Sequence, residues 1–295
     1  MRTIVYGIIT ALYVICMYGC TKENLTAPTA SASDINLSLS SDIVTTTNIV
    51  GRQQVIKLKT GDYYYPTSKA LLWLPRNYDP TLSSGYPLLI CLGGRGQNGS
   101  SDISILLNSE TVAKRIADGW DAEAVNPDDG KKYKFIVFSP TKDEPHSWGW
   151  SASAIKVMLS ELKNKYNISN QRIYITGFSA GGWGLWSCIT DDETLCKQFA
   201  AIGPVSSAGA DHPGKIPNVD KYGIACWNIC GTDDSFYSLA VNYTDTINTN
   251  KPPITASLAS LEGVGHSAWY EAYNPTWTNN KKGITFYQWL LKYHK

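Results

Sequence analysis

Charge of either sign is scarce in this chain of 295 residues, and the two signs nearly cancel. Charged residues make up 17%, with 26 Lys plus Arg against 25 Asp plus Glu and a formal net charge of +1. Such a balance provides no overall field to attract phosphate backbones or an anionic membrane surface, so nucleic acid is not an expected partner. Neither C-x-x-C nor H-E-x-x-H spacing occurs, which leaves a zinc site without support. The 24 glycines and 14 prolines follow no short period, excluding collagen-like and solenoid architectures. Histidine is sparse as well: His146, His212, His266 and His294 are the only imidazoles the chain can use. What is plentiful is apolar material. At 43% hydrophobic, the chain can build one large core or two small ones.

The apolar run over 4–18 follows Arg2 and is short for a bilayer span, but it fits the h-region of a secretory signal. It ends in Met17-Tyr18-Gly19-Cys20, which resembles a relaxed bacterial lipobox. That resemblance implies a signal over 1–20 and lipid on Cys20; an ordinary signal peptide or an uncleaved anchor is the alternative. Thr21-Lys22-Glu23-Asn24 is similar to the pattern behind the lipidated cysteine of surface-exported lipoproteins of the Bacteroidota type. The expected location is therefore the outer membrane, facing outward or toward the periplasm, with the membrane met only through the lipid. Residues 21–48, rich in Ser, Thr, Ala and Asn, cannot bury enough surface to offset ordering entropy and read as a tether. Five cysteines remain beyond it. Cys226 and Cys230 lie about 13 Å apart along a strand, too far to bridge, so Cys188 with Cys196 is the one plausible local disulfide and is left open.

From residue 49 to 295 the pattern is α/β. Short apolar or alternating runs at 55–59, 70–74, 87–92, 134–139, 172–176, 199–205, 224–230 and 254–261 read as strands. Helical spacing appears at 103–117, 151–166 and 285–293. This alternation implies a mostly parallel central sheet with helices on both faces.

Two glycine-rich loops stand out. Gly94-Arg95-Gly96-Gln97-Asn98-Gly99 satisfies G-x-G-x-x-G, but the next strand ends Phe138-Ser139-Pro140 without the acid that a ribose would need, so a tight turn competes with a dinucleotide site. Gly177-Phe178-Ser179-Ala180-Gly181 is G-x-S-x-G directly after a strand and before a helix. A sharp elbow there would expose the Ser179 hydroxyl at the sheet edge. A serine nucleophile needs a base, and an acid and then the base follow such an elbow in chain order. His146 precedes Ser179; His294 is the penultimate residue; His212 leaves no room for an acid-bearing strand before it. His266, in Gly263-Val264-Gly265-His266-Ser267, fits. The strand before it ends Gly231-Thr232-Asp233-Asp234, where either aspartate could serve.

Taken together, Leu92-Gly93-Gly94-Arg95-Gly96, the stretch Thr176-Gly177-Phe178-Ser179-Ala180-Gly181-Gly182, Gly231-Thr232-Asp233-Asp234 and Gly265-His266-Ser267-Ala268-Trp269 resemble α/β-hydrolases of the esterase D and feruloyl esterase type, carbohydrate esterase family 1 and the related predicted-peptidase group. The resemblance implies an α/β-hydrolase fold and ester hydrolysis by Ser179, His266 and an acid. It favours Asp234, since related turns read H-G-x-x-D. It also implies an oxyanion site made by the backbone N–H of Ala180 and one from the loop at Gly94 and Arg95. Such chemistry requires no metal or cofactor. Two departures stand out: Gly93 replaces the His of the family's H-G loop, and Cys230 replaces the His of H-G-x-x-D.

Ten tryptophans suit stacking on sugars or phenolic acyl groups. Trp269 beside the base, with His146 and Trp148 after a strand end, are candidates to line the substrate pocket; Trp183 and Trp186 read more readily as packing. The expected substrate is a feruloyl or acetyl ester on a plant polysaccharide or oligosaccharide. Peptidase, lipase-like and catalytically silent glycan-binding readings are the alternatives. For the N-terminus, mass spectrometry of the mature protein should find Cys20 first and acylated; an unmodified peptide running through Gly19 and Cys20 would sink that reading.

Overall fold

A strand that is apolar on both faces must be covered on both sides, and the stretch from Leu88 to Leu92 shows how the chain does this. Leu88, Ile90 and Leu92 enter one hydrophobic cluster while Leu89 and Cys91 enter another. The computed structural model describes residues 48–61, 67–142, 149–279 and 281–295. Its strands are β1 (Ile49–Val50), β2 (Gln53–Lys59), β3 (Thr67–Trp73), β4 (Tyr86–Leu92), β5 (Glu123–Val125), β6 (Lys132–Lys134), β7 (Ile136–Thr141), β8 (Ile168–Ser179), β9 (Ala201–Ser207), β10 (Ala225–Gly231) and β11 (Ser257–Leu261). The helices are α1 (Val112–Ala117), α2 (Ala152–Lys165), α3 (Ala180–Thr190), α4 (Glu193–Cys196), α5 (Asn218–Lys221), α6 (Tyr237–Asn248), α7 (Trp269–Ala272) and α8 (Phe286–Leu291).

Among the described residues nine strands form one sheet in the order β1-β2-β3-β7-β4-β8-β9-β10-β11, and β5 with β6 makes a separate antiparallel ribbon. From β7 to β11 every neighbouring pair is parallel; β1, β2 and β3 close one edge antiparallel. One face is covered by α2, α3 and α6 through Ile155, Met158, Leu159, Trp186 and Ile247. The other is covered by α1 and α8 through Val112, Ile116, Phe286, Trp289 and Leu290. This is the expected mostly parallel sheet with helices on both faces.

Several boundaries differ from the sequence reading, each for a local reason. The helix expected over 103–117 breaks in two, a 3-10 turn at Ile103–Leu107 and then α1. Ser109 lies between them at φ 68°, and Thr111 restarts the helix by accepting from the Lys114 amide. The strand expected over 134–139 divides at Phe135, with Lys134 pairing in the ribbon and Ile136 in the main sheet. The strand expected from 254 starts only at Ser257, because the Asn248 side chain takes both the N–H and the carbonyl of Ala256. Cys188 and Cys196, the candidate disulfide, are buried free thiols, as are Cys91, Cys226 and Cys230.

Because β8, β10 and β11 run parallel, the segments that follow them leave from the same edge of the sheet. Gly231 at the end of β10 pairs with Leu261 at the end of β11. A Cβ on Gly231 would lie 1.9 Å from the Val264 carbonyl oxygen, so only glycine lets the two following loops touch. Gly231→Ala should therefore cost about 1–3 kcal/mol in urea denaturation, since backbone rather than a flexible side chain has to move. A loss under about 0.5 kcal/mol would refute the contact.

Candidate active site

Ser179 ends β8 and caps α3 with φ 53° and ψ −123°, a backbone conformation uncommon for a residue bearing a side chain. The turn is that sharp because its flanks are glycine. A Cβ on Gly177 would fall 2.3 Å from the Gly181 carbonyl oxygen, and one on Gly181 would fall 2.1 Å from that of Leu92. Strand, helix and the end of β4 thus come into backbone contact, leaving the Ser179 side chain on the rim.

The Ser179 hydroxyl lies 2.9 Å from His266 Nε2, and His266 Nδ1 lies 2.9 Å from Asp234 Oδ2. A carboxylate only accepts, so Nδ1 carries the proton and Nε2 is free to accept from Ser179. The loops bearing Asp234 and His266 are stitched together. Thr232 N–H donates to the Leu261 carbonyl, Asp233 N–H to that of Val264, and Gly263 N–H to Thr232 Oγ1. Edges of Phe236 and Trp269 flank the His266 ring at 5.4 and 5.3 Å. Of the two candidate aspartates, it is Asp234 that reaches the imidazole. Asp233 is exposed and caps no helix; its carboxylate takes a bond from Thr232 Oγ1.

The Asp234 side chain is fully buried, which works against its ionisation, yet the Phe236 amide, the nearby Ser206 hydroxyl and His266 together outweigh burial and hold the carboxyl below its ordinary value. The linkage has a definite sign. The ionised group contributes stability that is fully present above about pH 4 and is lost as pH falls through the lowered folded value.

Ala180 is the first residue of α3, where N–H groups lack intrahelical acceptors. Gly94 begins the 3-10 turn Arg95–Gln97 and packs so closely on the Phe178 ring that a Cβ would lie 2.8 Å from it. The G-x-G-x-x-G loop is thus the neighbour of the elbow. Gln97 fixes it from below, donating to the carbonyls of Ile105, Leu106 and Asn108. A cleft of about 330 Å3 opens beside Ser179 and His266, walled by Gly94, Arg95, Asn108, Ser109, Phe178 and Trp269. The Trp269 indole stands 4.5 Å from the Phe178 ring and donates from Nε1 to Ser109 Oγ at 2.8 Å.

Other candidates lie elsewhere. His212 pairs with Asp191, and His294 lines a separate polar groove with Arg172 and Asn170. Trp150 and Trp186 are core residues, and Trp183 donates to Asp211. His146 and Trp148, like Cys20 and the 21–47 part of the tether, fall outside the described residues. Sequence reasoning missed Asn108 and Ser109, hidden in what reads as one helix, and Phe236, whose position beside His266 carries no motif.

No family model and no curated protein matches this chain. Solved structures do. A thermostable esterase is similar with TM-score 0.61 at 20% identity, covering 82% of this chain, which spans 63% of that protein's length. The feruloyl esterase module from Clostridium thermocellum, complexed with sinapinate, gives 0.55 at 16% identity, covering 85% of this chain and 91% of that one. A substrate-bound fluorophosphonate-binding serine hydrolase of Staphylococcus aureus gives 0.53 at 16%, covering 81% and 98%. At such identities the likeness speaks for architecture alone, and with the sheet order and the elbow already described it makes this chain an α/β-hydrolase fold.

Proposed function

We propose that this protein is a serine esterase in which Ser179, His266 and Asp234 form the catalytic triad. The observation that carries the proposal is the unbroken line of two 2.9 Å hydrogen bonds from a strained, cleft-facing serine to a buried carboxylate. A glycan-binding surface would have no use for that line. Ser179 Oγ attacks the ester carbonyl as its proton passes to His266 Nε2; the same proton then goes to the leaving alcohol. Water, activated by His266, hydrolyses the acyl-enzyme. Asp234 holds the tautomer and stabilises the imidazolium. The tetrahedral oxyanion is held by the Ala180 N–H and one from the Gly94–Arg95 loop, donors worth on the order of 100- to 1,000-fold each.

The preferred substrate is a feruloyl or acetyl ester on a plant polysaccharide, reached by a protein tethered to the outer membrane through lipid on Cys20. The Phe178 and Trp269 walls favour a flat phenolic acyl group, and the sinapinate complex of the similar Clostridium module supports the same choice. Methyl ferulate, acetylated xylan and short p-nitrophenyl esters form the assay set; no turnover of any of them by intact protein would reject the esterase reading.

Ser179→Ala and His266→Ala should each lower kcat by about a million-fold with folding intact. Near-native turnover in the Ser179 variant would overturn the nucleophile assignment. Asp234→Asn keeps the shape but presents the wrong partner to Nδ1, so kcat should fall on the order of 10,000-fold by analogy with other triads. It should also lose the acid-side stability that Asp234 ionisation supplies. Asp233→Asn should stay close to the parent in both respects, and the reverse pattern on the same activated ester would exchange the two roles.

A further inference from the structure

Behind the triad, β8 and β9 fall out of step. Phe178 pairs with Val205 but Ser179 pairs with Ser207, so Ser206 is one residue more on β9 than the ladder can use. A bulge of this kind turns a side chain away from its regular direction. Ser206 has φ 41°, unusual for serine, and is 1% exposed. Its hydroxyl lies beside the Asp234 carboxylate and the Cys230 thiol, yet has no partner in hydrogen-bond geometry among the described residues. A buried hydroxyl left unpaired is unfavourable, and a strained backbone that delivers one needs a reason.

Asp234 supplies that reason. Its Oδ1 accepts from the Phe236 amide at 3.0 Å; its Oδ2 accepts from His266 Nδ1 and, at 3.7 Å, from the Cys230 thiol. A carboxylate offers about four acceptor sites, so one is left for a further donor. The groups facing Asp234 are thus His266 from the base loop, Phe236 N–H from its own turn, Cys230 from the end of β10 and Ser206 from β9. Of these only His266 can carry positive charge, and only His266 and Cys230 titrate. The thiol is a weak donor whose own pKa is pushed up to about 12, chiefly by burial and then by the neighbouring carboxylate, so it stays protonated.

We propose that the bulge on β9 places Ser206 as a positioning residue whose hydroxyl, with the Cys230 thiol, fixes the Asp234 carboxylate so that Oδ2 faces His266. This inference rests on the triad proposed above, and the test separates the two. The rate at which a fluorophosphonate probe labels Ser179 is measured in the full chain, together with kcat and KM on p-nitrophenyl acetate across pH. If the parent protein is not labelled, the triad reading itself fails. If it is labelled, Ser206→Ala should react about 10-fold more slowly, with kcat reduced, KM unchanged and the low-pH edge of activity moved upward, because the carboxylate facing His266 loses a donor that competes for its charge.

Ser206→Gly relieves the backbone while also removing the hydroxyl. It should raise the melting temperature relative to Ser206→Ala but show the same loss of rate, which a purely structural role would not produce. Cys230→Ser, which keeps a donor, should retain more activity than Cys230→Ala. Parent-like labelling and an unmoved acid edge in Ser206→Gly would overturn the proposal.

Discussion

The site depends on one forced backbone turn. At φ 53° and ψ −123°, Ser179 occupies a region that costs on the order of 1–3 kcal/mol for a residue with a side chain. It persists only because its surroundings determine it. β8 is paired on both sides, by β4 and β9, and α3 packs back on the sheet through Leu185 and Trp186. Gly177 and Gly181 let the three backbones meet at distances that no other residue allows. Relaxing the turn would need β8, α3 or β4 to move, and each is held by the core. The sheet's two-sided burial is therefore what keeps the serine strained.

Much of this was legible because it is local. The elbow motif, the glycine-flanked histidine and the paired aspartates each occupy a few consecutive residues, and the order of strands and helices follows from hydrophobic period. Asp234 was separable from Asp233 only by resemblance to other turns; in the structure the separation comes from packing, since one side chain turns into the interior and the other into solvent. What stayed hidden depends on pairing between distant segments. Nothing at Ser206 announces that β9 will carry one residue too many opposite β8. Ser109 lies inside a stretch with helical spacing, and its left-handed backbone makes sense only beside Trp269, 160 residues later.

Weak overall charge fits the same picture. With a net charge of +1, little long-range field reaches the cleft, and the electrostatics that matter are short. Among the described residues Asp234 is the one buried carboxylate, and it accepts from an amide, an imidazole and a thiol. No lysine or arginine contacts it among the described residues. Its ionisation is thereby decoupled from surface salt bridges, which screening by salt would weaken.

His266 follows the last strand of the sheet. Among the described residues β11 pairs with β10 on one side and has no strand on the other, while Ser179 is rooted in the interior of the same sheet. Regions at an edge open with a smaller free energy than the buried centre. When β11 frays, His266 leaves with it, although Ser179 and most of the core stay in place. In the esterase proposed above, activity therefore reports the integrity of this single edge: under mild denaturant, it would fade before the fluorescence of the buried tryptophans changes.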